Sequence, residues 1–192
     1  MRRAQVCIPV HDAESKLFMQ GVNKVEIPGL RKARPDDAVA LSQLINLAFK
    51  KESFFKKGDR TDEQQVRDKF QSGTFYTVEC NGTMMACVYL EVAQEDNAAG
   101  LASGEDAGYI GMLAVDPAQQ GRGFGKKLMA FAEAELQRRR CKRVQLRIVN
   151  RRTELLDFYR ALGYCETGTA PYPFPEKTTL PIHFINLEKT IS

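Results

Sequence analysis

The sequence predicts a mixed α/β (α+β) domain, a twisted central sheet of about six to seven strands flanked by about four helices. Three observations predict it. A nearly continuous apolar run, Tyr109 to Val115, reads as a strand buried on both faces. A glycine-rich turn follows and opens a helix whose apolar residues Phe124, Leu128, Ala132 and Leu136 recur every four positions. Val144, Leu146 and Ile148 then alternate with Gln145 and Arg147, which adds a half-buried strand and completes a strand–helix–strand unit.

The other elements follow in order. Residues 1–24 show no sustained period and no apolar h-region, so they read as a loosely ordered extension and not a secretory leader. The domain is expected over 25–192, starting with an extended segment broken at Pro28-Gly29. Asp36 or Asp37 caps a helix with the stripe Val39, Leu41, Leu44, Ile45, Leu47 and Ala48. Thr61 and Gln64 fit a capping box for a short helix ending near Phe70. Asn81-Gly82 joins two β-rich runs as a hairpin. A long acidic loop, Glu91 to Ala107, precedes the central strand. Leu155, Phe158, Tyr159 and Leu162 keep helical spacing up to Gly163, a C-terminal stop. Two extended segments, Tyr164 to Gly168 and Ile182 to Thr190, close the chain around a proline-rich turn.

Composition narrows the function classes. The 192 residues suffice for one domain with a full core. No stretch approaches the roughly 18 apolar residues that span a bilayer, so no membrane association is expected. The 5 cysteines are scattered without a CxxC pair, which reads as reduced, mostly buried thiols in a cytoplasmic protein, Cys87 and Cys165 among them. With only 2 histidines as well, no metal site is expected. Residues 120–160 hold 12 Lys/Arg against 4 Asp/Glu, whereas 84–121 hold no Lys or Arg.

The turn Gln120-Gly121-Arg122-Gly123-Phe124-Gly125-Lys126 joins alternate glycines to a helix N-terminus, whose unpaired N–H groups favour phosphate. It is not a Walker A loop, because Gln120 stands where the first glycine belongs and Lys127 where Ser or Thr belongs. It is not a dinucleotide fingerprint, because Lys126 occupies the third glycine position. The pattern Gln/Arg-x-x-Gly-x-Gly does fit, as Gln120, Gly123 and Gly125. With Met112 to Pro117 before it and Asn150 and Phe158 to Tyr164 after it, the chain resembles the GNAT superfamily of acetyl-CoA-dependent N-acetyltransferases. In element order the resemblance covers Val25 to Thr190, and in residues Tyr109 to Tyr164.

That resemblance implies acetyl-CoA as co-substrate. It places the pantetheine arm on backbone groups of Leu113, Ala114 and Val115, the pyrophosphate on Gln120 to Lys126, and Asn150 on the cofactor arm. The basic block would complement the polyanion, so no nucleic acid is expected. Tyr159 matches the family's general acid. The leaving thiolate resembles that of Cys, with a pKa of roughly 8.5, so a weak acid suffices to protonate it. Many members carry a base, Glu, where this chain has Tyr109; Glu105, Asp106 and Tyr109 are the candidates for base or water positioning. Phe54, Phe55, Tyr172 and Phe174 lie on loops that wall the family's acceptor pocket. With the acidic stretch they point to a small cationic or aromatic amine, with a peptide or protein amine as the alternative. A noncatalytic acyl-CoA sensor is the rival in another class, and monomer and homodimer both stay open.

Overall fold

The computed structural model describes residues 26–92 and 106–191. The extension read over 1–24 and most of the acidic loop lie outside the described residues. In chain order the elements are β1 (Leu30–Lys32), α1 (Ala38–Ala48), α2 (Glu63–Ser72), β2 (Thr74–Cys80), β3 (Thr83–Val92), β4 (Ala107–Val115), α3 (Phe124–Arg138), β5 (Arg143–Val149), α4 (Thr153–Arg160), β6 (Cys165–Pro171) and β7 (His183–Thr190). One seven-stranded sheet runs β1-β2-β3-β4-β5-β7-β6. Its neighbours are antiparallel except β4 and β5, the parallel pair joined through α3. Among the described residues, no helix is long and apolar enough to cross a membrane.

Local chemistry explains most boundaries. Asn81 and Gly82 both take positive φ, 51° and 74°, as the primed turn of a tight hairpin demands. The cap of α2 is Asp62 and not Thr61: its carboxylate accepts the Gln65 N–H at 2.8 Å. Asp37 precedes α1 without capping it by side chain. Its carboxylate instead accepts the Arg34 N–H at 2.7 Å and pairs with Arg31 at 2.8 Å. Val39 and Leu47, expected in the apolar stripe of α1, are exposed; the helix buries Leu41, Leu44 and Ile45. Gln145 is buried, not outward, because β5 lies inside the sheet between β4 and β7, and its amide donates to Glu188 at 2.7 Å. Cys87 and Cys141 are buried free thiols, whereas Cys165 is exposed and Cys80 is disulfide-bonded, which corrects the reading of reduced core thiols throughout.

Two cores occupy opposite faces of the sheet. Leu41, Ile45, Val66, Phe75, Tyr89 and Ala114 pack beneath α1 and α2. Leu128, Met129, Leu136, Leu146, Tyr159 and Tyr164 pack beneath α3 and α4. Strand β4 serves both. Between Ala114 and Gly111 it spends one residue more than β3 does between Cys87 and Tyr89, a β-bulge. Met112 within it has φ 47°, left-handed backbone that a Met side chain rarely adopts. The bulge resets the alternation. Tyr109, Met112 and Ala114 then face α1, while Ile110, Leu113 and Val115 face α3.

Candidate active site

The parallel ladder between β4 and β5 pairs only Ala107–Arg143, Gly108–Val144 and Tyr109–Gln145. From Ile110 onward the strands part, leaving β4 and β5 backbone groups that face the gap without a ladder partner. A cleft of about 600 Å³ fills the gap, lined by β4 from Tyr109 to Leu113 and Val115, by β5 from Leu146 to Val149, and by α4 through Leu155, Phe158 and Tyr159.

One end of the cleft is the N-terminus of α3. Gly121, Gly123, Phe124, Gly125, Lys126 and Gln120 line it. Gly121 and Gly123 have φ 77° and 81°, and a Cβ on either would meet no atom within 4 Å. Glycine is thus required there by the backbone twist and not by crowding, and the space above the turn is open. Gly123 caps the helix without a side chain, so the first N–H groups of a 15-residue helix point to that space. An extended polyanion with a peptide-like arm fits this arrangement: phosphate at the helix end, arm amides along the parted strand.

Few of the basic residues serve that end. Arg138 and Arg139 clamp buried Glu135, at 2.6 Å and 3.0 Å. Arg143 pairs with Asp106 and Glu188, and Arg160 with Asp157 and Glu166. At the helix end, the expectation of a whole basic block serving the ligand therefore narrows to Lys126 in the lining, with Arg122 and Lys127 exposed nearby; Arg147 and Arg152 line the cleft farther along.

The other end is walled by the segment after α1 and by the β6–β7 region, through Phe49, Lys51, Glu52, Arg60, Tyr172 and Phe184. Backbone bonds lash these segments together: the Lys57 N–H donates to the Lys177 carbonyl at 2.8 Å and the Thr179 N–H to Phe55 at 2.9 Å. Of the four aromatics expected here, only Tyr172 reaches the cleft, packed on Phe184 at 5.2 Å between ring centres. Phe55 is fully buried beneath the loop, and Phe54 and Phe174 are exposed outside the lining.

Tyr109 and Tyr159 both line the cleft. Burial pushes the Tyr159 phenol far above the ordinary tyrosine value; Tyr109 adds to the rise and Arg152 opposes it. Burial likewise raises Tyr109, against the pull of Arg60 and Arg147. Both therefore hold their protons at neutral pH. Asp106 is not brought to them. It precedes β4 at the closed end of the ladder, in an ion pair with Arg143 at 3.0 Å that pulls its pKa down. Glu105 lies outside the described residues. Ala114 turns its side chain into the α1 core. Asn150 stands outside the lining, where its Oδ1 accepts the His183 N–H at 3.1 Å and ties β5 to β7.

Glu52 is a site residue that sequence reasoning missed. It follows α1 in a short 3-10 turn, is 6% exposed, and lines the cleft. Arg152 holds it at 3.2 Å. Burial raises its pKa nonetheless, opposed by Arg60, Arg152 and Lys56. The only signal in the sequence is one acid within the otherwise basic run 50–57, too common a pattern to single out. Among the described residues no group of three or more His, Cys, Asp or Glu is placed to hold a metal.

Comparison with known proteins agrees with this fold. The model of the Acetyltransferase (GNAT) family matches residues 40–164. Mycothiol acetyltransferase from Cellulomonas flavigena is 30% identical over 114 residues, 59% of this chain and 33% of that protein. N-alpha-acetyltransferase 30 from Saccharomyces cerevisiae is 37% identical over 57 residues, 30% of this chain and 32% of that one. The matched stretch thus spans about a third of either curated relative. The structure of yncA from Salmonella typhimurium, solved with its cofactor acetyl-CoA, superposes with a TM-score of 0.64 at 16% identity, over 85% of this chain and 93% of that one. At that identity the likeness is one of fold.

Proposed function

The chain belongs to the acetyltransferase (GNAT) family, and on that premise we propose that it transfers acetyl from acetyl-CoA to a primary amine by direct attack in a ternary complex. The observation that carries the reading is the parted β4–β5 pair, which opens onto the bare helix N-terminus at one end and onto Tyr159 and Tyr109 within. The gap supports a bound pantetheine arm on the backbone of Leu113 and Val115, with the pyrophosphate on the amides of Gly121 to Lys126. The amine nitrogen then attacks the thioester carbon from the open end, between Glu52 and Tyr172.

The step has three needs. The amine must be neutral, and Glu52 is the acceptor we assign for its proton, relayed by a water that Tyr109 orients. A carboxyl raised by burial is a stronger base than an exposed one. The tetrahedral oxyanion needs a donor, which an unpaired N–H of β4 supplies. As the C–S bond breaks, the thiolate takes a proton from the Tyr159 hydroxyl, and the second proton lost by the acylated nitrogen restores that hydroxyl through solvent. Acetyl amide and free CoA thiol leave, and Glu52 passes the ammonium's first proton, the one net proton released, to solvent. Turnover is not expected to need acyl transfer to a protein thiol: Cys87 is fully buried in the α1 core with its pKa raised to about 12, and it does not line the cleft.

Of the curated relatives, one is named for mycothiol and the other for an α-amine, so small-molecule and peptide amines are both candidate acceptor classes. Replacing Tyr159 by Phe tests the assignment. Thiol release from acetyl-CoA is expected to fall by about 100-fold while calorimetric acetyl-CoA affinity stays within about twofold. Unchanged turnover would remove Tyr159 from the chemistry. Acetyl-CoA binding without turnover by the wild-type chain on any amine would favour the sensor.

A further inference from the structure

Gly111 is a glycine in the cleft lining that its own backbone does not ask for. It is not among the glycines with positive φ, such as Gly121 and Gly123, so an L residue would fit its backbone. What surrounds it is also particular. A Cβ on Gly108, three residues earlier in β4, would run into the Leu136 side chain at 2.7 Å, so glycine there admits α3. A Cβ on Gly111 would stand 2.7 Å from Cε1, 3.0 Å from the hydroxyl oxygen and 3.1 Å from Cζ of Tyr109, and these are its three nearest atoms. Carbon atoms in contact sit best at about 3.5–4.0 Å, so a methyl group and the ring cannot both keep those places. The bare α-carbon of Gly111 is the bed on which the Tyr109 ring lies.

That bed decides where the hydroxyl goes. Tyr109 and Gly111 are opposite Glu91 and Tyr89 of β3, on one face of β4, and the bulge comes only after them. A side chain upright on the sheet would hold its hydroxyl above its own position. A strand advances about 3.3 Å per residue, so a ring laid as far as residue 111 carries the hydroxyl about 7 Å along β4. Tyr109 is the last rung of the β4–β5 ladder, paired with Gln145. Its hydroxyl therefore stands past that rung, where the strands have parted. It reaches the cleft from the α1 face, whose core Tyr109 joins, whereas Tyr159 belongs to the core under α3 and α4. Building on the acetyltransferase reading, we propose that Gly111 is a positioning residue for the transfer: by leaving room for the Tyr109 ring along β4, it sets the Tyr109 hydroxyl over the parted strands, where that hydroxyl orients the water between the amine and Glu52. Gly111 handles no proton itself and acts through Tyr109.

The test is a double-variant cycle in the full chain. Tyr109→Phe keeps the ring and removes the hydroxyl; Gly111→Ala keeps the hydroxyl and takes its bed. Each is expected to lower kcat for thiol release from acetyl-CoA by about tenfold or more, since a displacement of about 1 Å can cost about 100-fold. KM and calorimetric affinity for acetyl-CoA should stay within about threefold. The double variant should be slower than Tyr109→Phe by no more than about twofold, because a hydroxyl that is gone cannot be misplaced. Losses that multiply in the double variant, a Gly111→Ala chain that binds acetyl-CoA weakly, or a Tyr109→Phe chain with the original rate overturns the proposal. A second readout needs no turnover: the ring 13C signals of the 6 tyrosines, with that of Tyr109 identified by its loss in Tyr109→Phe. In Gly111→Ala the Tyr109 signal should move more than the others, and one that stays in place overturns the placement. If it moves in a chain that releases no thiol, the placement stands and the acetyltransferase reading fails alone. Should Gly111→Ala fold poorly, adding Tyr109→Ala is expected to bring Tm to within about 2 °C of Tyr109→Ala alone. A deficit that persists means that something other than the ring crowds position 111, and it overturns the proposal as well.

Discussion

Glu52 carries the sharpest consequence at the scale of single residues. Its ordinary value is 4.5, and burial raises it in the fold. The folded chain therefore keeps a proton that the unfolded chain has released. The stability this carboxyl contributes is full below 4.5 and is lost as pH rises through the folded value. Asp37 has the opposite sign. The Arg31 guanidinium pulls it below 3.8, so its contribution is present above 3.8 and lost as pH falls through the folded value. The two windows do not overlap, which lets one experiment separate them. Glu52→Gln keeps the shape and removes the titration. Denaturant midpoints taken from about pH 4 to about pH 7 should lose their downward slope in that variant, and the acid limb of the kcat/KM profile should vanish with it. A slope unchanged in the variant would mean that another group titrates there, and Glu52 would then have no claim as the base.

At the scale of elements, the turn into α3 is the part most directly written in the residues. Left-handed backbone at Gly123 is open to glycine and strained for any L side chain, by about 1 kcal/mol. Gly123→Ala should therefore lower stability by about that amount while weakening acetyl-CoA by more than about tenfold, because the added strain shifts the amides to which we assign the phosphates. Melting curves and calorimetry measure the two separately; an unchanged Kd would mean that the anion sits elsewhere. This turn, the hairpin at Asn81-Gly82 and the whole order of strands and helices were legible because each depends on a local pattern, either a backbone sign or a period. The contacts between distant segments were not. Asn150 matches the family by position, and its Oδ1 accepts the N–H of His183, 33 residues away. Glu52 and Arg152 meet across 100 residues, and no local pattern in either segment announces the pair. Phe55 and Tyr172 looked alike as loop aromatics; only the lashing of the two loops decides that one is sealed beneath and the other faces the cleft. The bulge in β4 was hidden for a related reason: a continuous apolar run does not show where its alternation is reset.

For the whole molecule, the parted strands make the sheet two units, β1 to β4 and β5 with β7 and β6, tied along the sheet by a ladder of only three residue pairs. The α3 core bridges them below the gap, through Leu128 and Leu136 against Ile110 and Leu146. A ligand lying along the gap takes the place of the missing ladder. On the placement we propose for the pantetheine arm, it pairs with backbone on one or both sides, so its binding energy becomes cohesion between the units. At a ligand concentration 100 times Kd that cohesion is about 2.7 kcal/mol, which for a chain of this size raises Tm by roughly 8 °C. The gain should also be localised. With acetyl-CoA, hydrogen exchange is expected to slow most at amides of 110–115 and 146–149 that face the gap, and at the first turn of α3. The β2–β3 hairpin, already paired along its length, should change little. Uniform slowing across the sheet would instead mean that the ligand stabilises the fold without bridging the strands. Protection confined to α3 would mean that the phosphate end binds while the arm stays out of the gap, and the acetyl group would then not reach Tyr159.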